Sequence, residues 1–346
     1  LSDQRRYLRD RYESATNDEK DSFLDHLAVT VSYIDSFWPS SDSISENLKV
    51  QLAHSTLVAL DFLRTSNHSI TAGVLTRFYA PLKDALDKAD SVQISNSKVA
   101  FENAVKAVAA FWALWRSSRP GTEGIDSYYR QLMLSSQSNT DAEAPRFIGL
   151  ARKPGKGRPQ PPDVDLLKKA LLFVLAEKGR VSNFSQWAAL MLKQNAYKTK
   201  AVTRFILLMA FHNSPSDSSE PGLNMKGVDG SVDLLNPSCW KNLHTIEHIA
   251  PEKPDSTDND WDTRIYTQIE SDAVNSIGNL TLLPQSVNAS VSNRSWRSKK
   301  FMYKILSTPG EADKNALISQ CADYQLTPPT SELLQKRTTY CAVGLG

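Results

Sequence analysis

Residues 243–251 read Leu-His-Thr-Ile-Glu-His-Ile-Ala-Pro, and residues 278–288 read Gly-Asn-Leu-Thr-Leu-Leu-Pro-Gln-Ser-Val-Asn. The first stretch carries β-branched and apolar residues and stops at Ala250-Pro251, where a proline cannot continue a ladder, so it predicts a short strand. The second predicts a glycine turn followed by a strand over Leu280 to Leu283, ended by Pro284. Between them lies a polar, acidic connection from Glu252 to Asp262 and then a short helix reaching Val274. After them Val291, Trp296, Phe301, Tyr303 and Ile305 suit one amphipathic helix from about Asn288 to Leu306. The order strand, connection, strand, helix sets the expectation for this part of the chain.

Upstream the periodicity changes. Apolar residues recur at spacings of three and four over the first 135 or so residues, which predicts helices. Ala53, Leu57, Leu60 and Leu63 mark one from about Ser45 to Arg64; Val74, Leu75, Phe78, Leu82 and Leu86 mark a second, which Pro81 should kink or split. Phe101, Val105, Val108, Trp112 and Trp115 mark a third from about Ser97 to Arg116. Further helices are expected over Val164 to Lys178 and Ala201 to His212, with an ambiguous element around Phe184 to Gln194 and a loop from Asn213 to Gly230. Ser135 to Ala144 and Ala151 to Asp163 are rich in Ser, Asn, Pro, Gly and base and read as connecting loops. The fold class is therefore mainly α: an N-terminal helical bundle, residues 1–150, followed by an α+β domain, residues 151–346, whose core spans about 241–306.

The 346 residues exceed what one hydrophobic core usually organises. No apolar run reaches membrane-spanning length, so a soluble, cytoplasmic chain without a membrane partner is expected. Three cysteines, Cys239, Cys321 and Cys341, are too few and too dispersed for a disulfide framework or a Cys-x-x-Cys zinc site. The chain starts at Leu1 in a charged stretch, which reads as part of a longer protein rather than a signal peptide. The net charge of +2 is uninformative, yet from Arg146 to Arg204 thirteen bases stand against three acids. Such an excess suits phosphate contacts, and equally a solvated face. In the helical half His26, His54 and His68 stand apart from one another and read as surface or core residues.

Chemistry concentrates at Glu247-His248. Hydrolysing a phosphodiester needs an activated water and a cation to neutralise charge at phosphorus, and one imidazole with one hard divalent ion on oxygen ligands is sufficient. Strand alternation points adjacent side chains to opposite faces, so Glu247 and His248 serve one site only if the strand end bulges or twists. His244, four residues earlier, falls on the His248 face by the same period.

These two stretches resemble the HNH, or ββα-metal, nucleases, in the branch with an E-H-I-x-P segment followed by G-N-L-T-L-L and a later Asn. The branch looks like the C-terminal nuclease domain of bacterial modification-dependent restriction proteins of the GmrSD type, and of related NTPase-nucleases that defend phosphorothioate-marked genomes against phage. The motif spans about residues 243–303. The resemblance implies a DNA endonuclease, nicking one strand at a time, in restriction or anti-phage defence. It implies His248 as the general base and Glu247 and Asn288 as ligands of Mg2+, with Mn2+ as a substitute. Asn279 would hold the loop and orient His248, while Asn293, Arg297 and Lys299 would complete the site, the last two on substrate phosphate. Glu in place of Asp before the histidine, and Asn in place of His at the helix, keep oxygen ligation and disfavour tightly bound zinc. An upstream NTPase or sensor domain is the implied partner beside DNA, and a further possibility has the helical half as a pure transmission element between that domain and the nuclease. The alternative is a DNA- or partner-binding module on a non-catalytic scaffold of the same fold.

Overall fold

The computed structural model describes residues 6, 9–10, 12–39, 48, 50–133, 162–230, 233–254, 260–267, 272–308 and 310–329. The charged opening stretch falls largely, the two loops expected before residue 163 almost entirely, and Cys341 wholly outside these residues. The chain divides into two compact units, Leu1–Trp112 with Thr122–Arg180, and Ala113–Gly121 with Val181–Gly346. Among the described residues no helix is long and apolar enough to cross a membrane.

The first unit is helical, as its three-and-four periodicity predicts. It contains α1 (Asn17–Phe37), α2 (His54–Thr65), α3 (Ala72–Asp87), the part of α4 (Ser91–Ser117) up to Trp112, α5 (Ile125–Met133) and α6 (Val164–Glu177). Tyr33, Phe37, Tyr79 and Phe101 meet as an aromatic cluster with centroids 4.8–6.4 Å apart, all buried. Pro81 lies inside α3 without ending it: the helix runs 16 residues, because its apolar stripe is buried on both sides of the proline. The expected start of α2 at Ser45 is also corrected. The helix begins at His54, after Ala53 takes extended backbone angles and gives its N–H to the Glu102 carboxylate at 2.7 Å. His68 is core: its ring stacks on Trp112 with centroids 3.7 Å apart, and Nε2 lies 3.0 Å from the Tyr129 hydroxyl.

The second unit holds α7 (Phe184–Met191), which settles the ambiguous element as helix, then α8 (Lys200–Phe211), α9 (Pro237–Trp240), β1 (Thr245–His248), α10 (Arg264–Thr267), β2 (Leu280–Leu283), α11 (Gln285–Val291), α12 (Trp296–Ser307) and α13 (Glu311–Ile318). β1 and β2 pair antiparallel in unbroken register, Thr245 opposite Leu283 through His248 opposite Leu280. α8 packs against both strands and α11 against β1. Arg204 of α8 ties the segment entering β1 by donating to the carbonyls of Leu243, at 2.8 Å, and Trp240, at 2.6 Å. The single helix expected over Asn288 to Leu306 is two. Ser292 adopts φ +33°, ending α11, and Ser295 caps α12 by accepting the Ser298 N–H. Gly222 lets a loop approach α12 closely, since a Cβ there would meet the Tyr303 carbonyl carbon at 2.6 Å.

Candidate functional site

β1 is regular to its last residue, so the alternation anticipated from the sequence holds without a bulge, and Glu247 and His248 leave the strand on opposite faces. Each face then builds a different environment.

On the Glu247 face the partner is Lys299, from the first turn of α12. Its side chain is wholly buried, and Nζ donates to Glu247 Oε1 at 2.6 Å and to the His248 carbonyl at 2.6 Å. Burial raises the Glu247 carboxyl and lowers the Lys299 ammonium from their ordinary values, and their mutual attraction offsets part of both shifts. The ammonium therefore sits inside the protein, away from any phosphate in solvent.

On the other face the His248 ring is 11% exposed and bounded on two sides. Tyr197, from the 3-10 turn Ala196–Thr199, packs its ring 4.5 Å from the imidazole, and Lys200 lies 4.6 Å above Tyr197. Asn275, at the end of the 3-10 turn Ala273–Asn275, places Oδ1 3.0 Å from His248 Nε2. The Glu252 carboxylate stands 3.9 Å from the same nitrogen. His248 Nδ1 takes part in no hydrogen bond among the described residues. An amide oxygen only accepts, so Nε2 must carry a proton and Nδ1 of the neutral ring holds the lone pair. The ring is thereby shaped to receive a proton at Nδ1.

The remaining expected residues are distributed around this hairpin. Asn279 is buried and staples the loop: its Nδ2 donates to the carbonyls of Ala250 and Val274, both at 2.8 Å, and its Oδ1 accepts the Ala250 N–H at 2.7 Å. It makes no hydrogen bond to the imidazole among the described residues; the amide that does is Asn275, which sequence reasoning missed because a lone Asn in a polar stretch carries no periodic signal. Asn288 is half-buried in α11, with Nδ2 3.4 Å from the Ile246 carbonyl and Oδ1 left without a partner among the described residues. Asn293 and Arg297 are exposed, and the Arg297 guanidinium lies 5.2 Å from the Tyr324 ring. His244 is exposed just before β1. A cavity of about 530 Å³ opens beside the stapled loop, lined by Ile249, Ala250, Trp261, Asn279 and Trp296 among others, and not by the His248 ring.

In the oxygen pair that the resemblance implies for a divalent ion, Glu247 with Asn288, one carboxylate oxygen is already committed to Lys299. Asn288 Oδ1 has no hydrogen-bond partner among the described residues, whereas Glu247 Oε1 accepts from the buried Lys299 ammonium. Among the described residues no three His, Cys, Asp or Glu side chains gather as a ligand cluster.

A helix-flanked antiparallel strand pair, presenting at a strand end one imidazole whose Nδ1 has no partner among the described residues, is an arrangement able to take a proton from a bound water. Residues 186–327, which include all of it, match the family of GmrSD restriction endonucleases, C-terminal domain. No curated protein matches the chain.

Proposed function

We propose that the chain is a DNA endonuclease in which His248 Nδ1 removes the proton from the water that attacks a backbone phosphodiester, acting in restriction or anti-phage defence. The observation that carries this reading is the imidazole itself. It stands inside the stretch matched to the restriction endonuclease family, with Nε2 engaged by an acceptor and Nδ1 unengaged among the described residues. The exposed cations Lys198 and Lys200 follow Tyr197 in the chain, Lys200 over its ring, and would receive the phosphates of the strand being cut. One such site hydrolyses one strand, so nicking is the output of a single chain. The resemblance implies Mg2+ or Mn2+, to which Asn288 would offer its Oδ1, and no step is assigned to Glu247, whose Oε1 is held by Lys299.

The test is relaxation of supercoiled plasmid in Mg2+ by the parent chain and by His248→Ala. The parent converts supercoiled to open-circular DNA, and the variant loses at least the roughly 10²–10⁴-fold that general-base catalysis contributes. Equal relaxation by the two proteins overturns the assignment of the base. Binding of DNA with no cleavage by the parent overturns the enzyme reading in favour of a binding module.

A further inference from the structure

Behind the imidazole runs a chain of side chains whose orientation is settled by groups that have only one hydrogen-bonding role. It begins at the backbone N–H of Lys198, which can only donate and which lies 3.0 Å from Asn195 Oδ1. With its oxygen committed there, Asn195 must turn Nδ2 outward, and that nitrogen donates to Asp272 Oδ2. A carboxylate only accepts, so the other Asp272 oxygen takes a donor as well, Asn275 Nδ2 at 2.8 Å. Asn275 is thereby obliged to present Oδ1, not Nδ2, to His248 Nε2 at 3.0 Å. The amide could not be reversed without setting an N–H against the ring and an oxygen against a carboxylate.

We propose that Asn275, locked by Asp272 and Asn195, is a positioning residue that holds the His248 ring in one orientation and in the tautomer with the proton on Nε2. The proposal rests on the reading of His248 as the base, since that tautomer is what leaves Nδ1 to accept a proton. Tyr197 restrains the ring from its face, and the Asn275 amide restrains its rotation. The same 3-10 turn supplies both restraints: Asn195 caps it and Tyr197 lies within it. A residue 51 positions before His248 in the chain and another 27 after it thus meet on one imidazole. Asn275 touches no reacting atom in this scheme and acts only through His248.

The experiment reads the ring directly. The full chain is labelled with 15N-histidine and its ring-nitrogen shifts are recorded at about pH 8.5, where an ordinary imidazole is neutral. The six histidines are sorted by the signal that disappears in His248→Ala. The parent shows His248 protonated on Nε2 and bare on Nδ1. Asn275→Asp made together with Asp272→Asn, which keeps an acceptor facing the ring and a donor between the two side chains, retains that pattern, whereas Asn275→Ala and Asp272→Ala shift the two nitrogens toward the averaged values of mixed tautomers. In plasmid nicking, Asn275→Ala lowers kcat by up to roughly 10²-fold, the cost of a misplaced group, with KM little changed, and the exchange of Asn275→Asp with Asp272→Asn restores part of it. A parent ring protonated on Nδ1, or ring shifts unchanged in Asn275→Ala, overturns the proposal. Because the spectrum does not depend on cleavage, a fixed Nε2–H tautomer in a chain whose cutting survives His248→Ala sinks only the general-base reading. Unchanged tautomers in a chain whose cutting is lost with His248→Ala sink only the positioning role.

Discussion

Replacing Lys299 separates two opposite readings of one residue. As a member of the motif it is expected on substrate phosphate; in the fold its ammonium is wholly buried, 2.6 Å from both Glu247 Oε1 and the His248 carbonyl. Lys299→Met removes the positive charge but keeps most of the stem volume. It leaves a carboxylate buried without a counter-charge and a strand-end carbonyl without its donor. Breaking a buried pair from one side costs about 3–5 kcal/mol, a large share of the 5–15 kcal/mol typical of a folded domain. The assay is urea unfolding followed by tryptophan fluorescence, with Trp261 and Trp296 as reporters of α12 and its surroundings. Lys299→Met should move the transition of the second unit to markedly lower urea, and Lys299→Met combined with Glu247→Met should recover most of the loss, because no charge then remains buried. The reasoning is refuted if Lys299→Met unfolds with the parent while its DNA affinity falls and the salt dependence of binding weakens by about one phosphate contact. That pattern would put the ammonium in solvent, on the substrate.

Three further outcomes follow from the same geometry. His68 is held neutral in the core, its ring lowered by burial to about 3 from the ordinary 6.5. The unfolded chain therefore binds a proton that the folded one refuses: the contribution is complete above pH 6.5 and drains by about 1.4 kcal/mol per unit as pH falls toward 3. Urea midpoints of the first unit at pH 7.5 and 5 should diverge in the parent and converge in His68→Phe; equal pH slopes in the two proteins count against it. Asn279→Ala should destabilise the second unit by about 1–3 kcal/mol, the cost of leaving buried backbone groups of Ala250 and Val274 unpaired, and unchanged melting would deny the staple. Finally, EDTA should stop plasmid nicking and Mg2+ or Mn2+ restore it, with Asn288→Ala needing roughly tenfold more metal. Nicking that persists in EDTA rules out the cation, and an unchanged metal requirement rules out Asn288 as its ligand.

The local features were legible where a short-range rule governs them. β2 occupies Leu280–Leu283 as read, because Gly278 and Pro284 bracket it, and the helices of the first unit follow the spacing of their buried residues. The opposed faces of Glu247 and His248 follow from alternation alone. The misreadings have equally local causes. Ser292 and Asn293 are weak breakers, so the apolar period appeared to run through the gap between α11 and α12. Pro81 is a strong breaker, yet the packing of α3 keeps the helix from splitting there.

What the sequence determined by itself is the inventory of the site: a strand end carrying Glu-His, a second strand after Gly-Asn, and an Asn at the following helix. These are patterns within a few residues of one another, set by backbone geometry and turn chemistry. Only the tertiary structure decided which partner each side chain meets. Lys299 lies 52 positions from Glu247, and Asn195 lies 77 from Asp272, and such pairings depend on how α12 and the turn before α8 close against the hairpin. Long-range hydrogen bonds and buried charge pairs leave no period in a chain, because their geometry exists only after the core has formed.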